Sequence, residues 1–128
     1  MKDKTIKIIT VIIFVTLLFN AYTAFSLRHA DKVSGESAIY SEREINSALN
    51  TAARYSFPIM PNCRFTKFYY DEQSNIKRGG DKNSITVFSD FEVIFETPVW
   101  EKGNIMHGWS WHMEKVFGIW IVTNYGFG

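Results

Sequence analysis

Three patterns of apolar and polar positions follow one another along this chain, and each predicts a different element. From Ile8 to Leu27 (IITVIIFVTLLFNAYTAFSL) no residue is charged. About twenty residues at 1.5 Å rise each cross roughly 30 Å of hydrocarbon. Thr10, Thr16, Asn20, Thr23 and Ser26 are the polar interruptions, and a hydroxyl can bond back to its own helix. A helix lying on a soluble core keeps a polar face, whereas this stretch is apolar all round. It is expected to cross a membrane.

Lys2, Lys4 and Lys7 precede the span, as in the basic leader of a secretory signal. A cleaved signal needs small residues before the cut. Cutting after Ala24 or after Ala21 leaves a bulky ring, Tyr22 or Phe19, where a small side chain is required. The expectation is an uncleaved, single-pass signal anchor in the cell membrane. Residues 1–7 form a cytoplasmic tail, residues 8–27 the anchor, and the C-terminal domain lies outside. No cysteine follows the apolar run, so lipid modification there is not expected.

The second pattern is helical. Arg28 to Ser37 (RHADKVSGES) is polar and reads as a linker, residues 28–37. Ser41 and Glu44 then form S-x-x-E, whose side chains satisfy backbone N–H groups of a first helical turn. Tyr40 stands before the cap, placed to staple onto Ile45. Ile45, Ala48, Leu49 and Ala52 recur at helical spacing, predicting one amphipathic helix that ends before Pro58. Its alanines suit close packing on something flat.

The third pattern has period two. Arg64 to Asp71 is short and aromatic, and Asp71 to Ser84 reads as a long polar loop. Ile85 to Glu96 alternates, with Ile85, Val87, Phe91, Val93 and Phe95 on one face and Thr86, Asp90, Glu92 and Glu96 on the other. Ile105 to Glu114 and Phe117 to Tyr125 follow as two more strands. In Trp109-Ser110-Trp111-His112-Met113, the tryptophans and Met113 share a face, opposite Ser110 and His112. Ile119, Ile121 and Thr123 likewise oppose Trp120 and Val122. The fold class is α+β. A transmembrane helix precedes a domain, residues 38–128, in which one amphipathic helix packs on a curved antiparallel sheet of about four strands.

Charge narrows the partners. The net charge of +1 comes from 14 basic and 13 acidic residues, without the basic excess that a nucleic-acid partner needs. Setting aside Lys2, Lys4, Lys7 and Asp3 leaves the exposed part at −1, so anionic headgroups would not attract it strongly. Cys63 is the single cysteine, which excludes an internal disulfide and reads as a small buried hydrophobe.

Candidate chemistry is sparse. His107 and His112 lie five residues apart, and odd separations on a strand point to opposite faces, so no metal pair is expected. HExxH, GxSxG and a glycine-rich phosphate loop are all missing, and no cofactor is implied. Asp90 and Glu92 share a strand face, and Tyr69, Tyr70 and His112 could converge with them in a concavity. A buried carboxylate there would suit general acid–base work. The competing reading makes Asp90 and Glu92 the solvated side of an antiparallel sheet.

The blocks YSEREINSALNTA (Tyr40 to Ala52), CRFTKFYYDE (Cys63 to Glu72), NSITVFSDFEV (Asn83 to Val93), WSWHM and IWIVTNYGFG fall in order. Together they resemble the DUF4829-type family of small extracytoplasmic Firmicutes domains, over residues 38 to 128. The resemblance implies an NTF2-like or cystatin-like fold, a helix cupped by a curved sheet. It carries over no catalytic residue. The expected function is a membrane-anchored binding or accessory module for a small ligand, a peptide or an envelope protein. Tyr69, Phe91, Trp109 and Trp111 would line its ligand site. The alternative is a small isomerase- or hydrolase-type enzyme using His112 with Asp90 or Glu92.

The anchor makes a direct prediction. Replacing Val15 and Leu18 by arginine is expected to release or misroute the protein, because each central charge costs about 2.5–3.5 kcal/mol on insertion scales. Cell fractionation reads the outcome. Mature protein beginning after Ala21 or Ala24 by N-terminal sequencing would overturn the anchor.

Overall fold

The computed structural model describes residues 2–127, without the side chains of Lys2 and residues 22–29. Thr23, Ser26 and the cleavage positions Tyr22 and Ala24 therefore have side chains outside the described residues. Helix α1 spans Lys2–His29. Its stretch Asp3–Ala21 is apolar and long enough to cross a membrane, and none of it is buried in the domain. Thr10 and Thr16 donate their hydroxyls to Ile6 O and Ile12 O, each at 2.8 Å, so these polar groups are satisfied within the helix.

Helix α2, Glu42–Ile59, begins as its sequence demands. Ser41 Oγ accepts from Glu44 N at 3.1 Å, and Glu44 returns by accepting Ser41 N–H at 3.2 Å. Ile45, Ala48, Leu49, Ala52 and Ala53 are all buried on one face. Contrary to expectation, α2 runs through Pro58. A proline keeps helical φ and loses only its own N–H bond, and Met60 N–H still reaches Ser56 O at 2.8 Å to close the last turn.

The sheet has five strands in the order β1-β2-β3-β4-β5. The antiparallel run expected from the alternation is β2 (Cys63–Tyr69), β3 (Ser84–Val93), β4 (Ile105–Val116) and β5 (Ile119–Gly126). β1, Asp31–Val33, pairs parallel to β2 and makes the sheet mixed. The segment 28–37 is thus no free linker, because its backbone completes the sheet edge. Asp31, Lys32 and Val33, all exposed, are too few to carry an alternation from which a strand could be read. The loop 71–84 also holds a helix, α3 (Glu72–Lys77), capped by Asp71, whose side chain accepts from Ser74 N.

One sheet face carries Phe68, Ile85, Val87, Phe91, Val93, Trp111 and Met113 into the core against α2. Trp111 is fully buried, and its indole N–H donates to Ser89 Oγ at 2.9 Å. Trp120 Nε1 finds Glu44 O at 3.1 Å. The alternation fails at two places. β3 ends at Val93 because Ile94 and Phe95 N–H groups turn to Asn62 O, which leaves Phe95 67% exposed and off the apolar face. In β5, Thr123 has no register partner, so Asn124 pairs with His112 and Tyr125 with Trp111. That extra residue brings Tyr125 level with Trp111, at a ring distance of 5.6 Å, where it stays 47% exposed.

Trp111→Ala is expected to destabilise the domain by about 3–5 kcal/mol. Ser41→Ala is expected to cost about 1 kcal/mol through the lost cap. Urea unfolding in detergent measures both, and a Trp111→Ala protein as stable as the parent would contradict this core.

Candidate functional site

Helix α3 stands beside β3 past the end of β2, and the Arg78 that follows it reaches the sheet face turned away from α2. Asp71 starts α3, and Gly79, at φ +84°, lets the chain turn out of it. Gly80 then passes so close to Asn75 that a Cβ would lie 2.2 Å from Nδ2. Asn75 is fully buried beneath this turn. Its Nδ2 donates to Tyr40 Oη at 3.0 Å and Tyr70 Oη at 3.2 Å, while its Oδ1 accepts Thr86 N–H at 2.7 Å. Tyr70 Oη donates to Glu72 at 2.7 Å, and Ser37 Oγ donates to the same carboxylate. Burial pushes the Tyr70 phenol up, reinforced by its bond to Glu72. The Ser37 hydroxyl and the Ala38 N–H hold the Glu72 carboxyl below its ordinary value.

Anchored in this way, α3 places Arg78 over the sheet. The guanidinium carbon stands 5.4 Å from the Phe88 ring centroid, and Nη1 reaches Ser110 Oγ at 3.5 Å. Beside it opens a recess of about 290 Å³ lined by Arg78, Thr86, Ser110, His112, Asn124 and Tyr125. His112 Nδ1 lies 2.9 Å from Thr86 Oγ1, which fixes the imidazole against β3. Ser110 donates to Gly126 O at 2.7 Å. The lining thus offers a guanidinium, an imidazole, hydroxyls and a carboxamide, and no carboxylate. Such a set favours a small ligand rich in hydrogen-bond acceptors.

The residues expected to share a site do not converge. Asp90 sits four residues along β3 from Thr86, about 13 Å at strand rise. It is held by His107 Nδ1 at 3.2 Å and by Gly108 N–H at 3.1 Å. Glu92 pairs with Arg64. His112 lines the recess without either carboxylate.

The expected aromatic ligand surface is also displaced. Phe91 and Trp111 are wholly buried in the packed core, and Trp109 is covered by Trp100 and Phe127 at ring distances of 5.6 and 4.9 Å. Tyr69 lies on the other face, stacked on Phe88 at 5.8 Å. Its phenol is raised by burial and by nearby Asp90. Among the described residues no three His, Cys, Asp or Glu side chains converge as metal ligands. Cys63 is half-buried and packs on the core, and burial pushes its thiol up to about 11, so little thiolate forms at neutral pH.

Arg78, Thr86, Ser110 and Asn124 were not legible as a site. The signals present were the Asp71 cap, a helix-favouring EQSNIK stretch and the Gly79-Gly80 stop, which place Arg78 at a helix end. What remains defined is an α+β domain with a mixed five-strand sheet behind an N-terminal apolar helix. No family model matches the chain, and comparison with curated proteins and with solved structures gives no match either.

Asn75→Ala is expected to destabilise the domain, because each buried partner left unsatisfied costs about 1–3 kcal/mol. Gly80→Ala strikes the same carboxamide from the other side. Their combined effect is expected to fall short of the sum, since both break one set of bonds. Additive losses in a double-mutant cycle of urea midpoints would show that the two contacts are independent.

Proposed function

We propose that this protein is a membrane-anchored extracytoplasmic binding or accessory module whose ligand site is the recess beside α3. The anchor reading is supported by an unburied apolar helix preceded by lysines, which favours an N-terminus inside. The observation that carries the binding reading is the separation of the two sheet faces. α2 closes the aromatic face, and the other face keeps an open concavity lined by Arg78 and His112. A small carboxylate- or phosphate-bearing molecule is the ligand class that this lining would recognise.

A helix laid across an antiparallel meander is also what the resemblance to DUF4829-type, NTF2-like or cystatin-like domains leads one to expect. The enzyme alternative is weaker on geometry, because His112 has neither Asp90 nor Glu92 within reach. The edge strand β5 gives the peptide or envelope-protein alternative a physical basis, since among the described residues its outer backbone groups face no sixth strand.

Thermal melting of the full chain in detergent, titrated with small carboxylates and inorganic phosphate, tests the reading. Ligand at a hundred times its Kd is expected to add about 2.7 kcal/mol of stability. Asn124→Ala should abolish the shift and leave the unliganded melt in place. A shift that survives Asn124→Ala, or no shift across the panel, would overturn the assignment of the recess.

A further inference from the structure

The apolar helix and one rim of the domain meet at the same end of the sheet. α2 starts near the β4–β5 turn, where Lys115 Nζ lies 2.7 Å from Glu44, and it ends at the opposite end, where Met60 leads into β2. At that far end Phe19 of α1 packs on Phe57 of α2, with ring centroids 5.2 Å apart. Phe19 belongs to the apolar run Ile8–Leu27, so the end of α2 stands beside the outer half of the anchor.

The loop between β3 and β4 is tied to the same place. The N–H groups of Ile94 and Phe95 both donate to Asn62 O, at 2.8 and 3.2 Å, directly after α2. Trp100 of this loop turns inward, 5.3 Å from Phe91 and 5.6 Å from Trp109. Phe95, Val99 and Ile105 turn outward, exposed to 67%, 80% and 64%. All three stand on or next to one loop, and apolar side chains gathered on one exposed rim favour an interaction surface.

We infer that this rim is a second membrane contact, in which Phe95, Val99 and Ile105 enter the interfacial layer of the bilayer that α1 crosses. The inference rests on the anchor reading above. The loop carries Glu96, Glu101 and Lys102, a net negative charge, so the attraction is apolar and suits a zwitterionic surface. The contact would set the tilt of the domain and hold the recess, which lies on the sheet's face, to one side of the membrane normal.

The test uses the full chain in phosphatidylcholine vesicles. Ile12→Cys, Val99→Cys and Phe117→Cys, each with Cys63→Ser, carry a polarity-sensitive fluorophore. Ile12 lies inside the apolar run, and Phe117, fully exposed, lies at the opposite end of the sheet. Deep nitroxide lipids are expected to quench the Ile12 probe, headgroup-level nitroxides the Val99 probe, and neither the Phe117 probe. A quenched Ile12 probe with Val99 as bright as Phe117 would overturn the rim contact and leave the anchor standing. An unquenched Ile12 probe would overturn both. On the unmodified chain, amide exchange across residues 95–105 should slow in vesicles relative to detergent, and unchanged exchange would count against the contact whatever the labelled variants do.

Discussion

The buried carboxamide of Asn75 is the constraint on which the two-faced arrangement depends. A fully buried amide must satisfy its donors and acceptor within the protein. Here the partners are Tyr40 ahead of α2, Tyr70 at the end of β2, and the Thr86 backbone in β3. One side chain therefore couples the start of the covering helix to the sheet and pins α3 against β3. Gly80 is part of the same device, because any side chain there would occupy the space of the amide. Arg78 reaches Ser110 only because α3 is held in this way.

The two faces of the sheet then take different work for reasons of volume. Ala48, Ala52 and Ala53 let α2 approach closely, and the rings of Phe91 and Trp111 fill the remaining space. An apolar face sealed to that density has no room for a ligand. Over the other face Arg78, which follows the 6-residue α3, reaches Phe88 and Ser110, and a recess stays open beside it on β4 and β5. Polar side chains gather where water reaches, and His112 and Asn124 are paired across that opening.

The domain is also polar along its length. At one end lie the emerging α1 and the exposed apolar loop after β3. At the other lies the two-residue turn of Phe117 and Gly118, both with positive φ, which matches the twist of the hairpin. The Lys115–Glu44 pair near this turn holds the Glu44 carboxyl below its ordinary value. It ties the last hairpin to the first turn of α2.

Local chemistry was enough to read the apolar span, the Ser41–Glu44 cap, the alanine face of α2, the four alternating strands and the inward Trp111. Each is decided by spacing within one element or by a bond between residues three apart. The sequence also carried the cap and stop of α3, although its polar composition disguised them as loop. What only the tertiary structure decided was pairing between distant segments. Asp31–Val33 become a strand because β2 offers a free edge, and Tyr125 comes level with Trp111 because Thr123 is an extra residue in the register. Asp90 goes to His107 and Glu92 to Arg64, while His112 meets Thr86, Asn124 and the guanidinium of Arg78. Alternation assigns a side chain to a face but not to a position along it, and a site is made of positions.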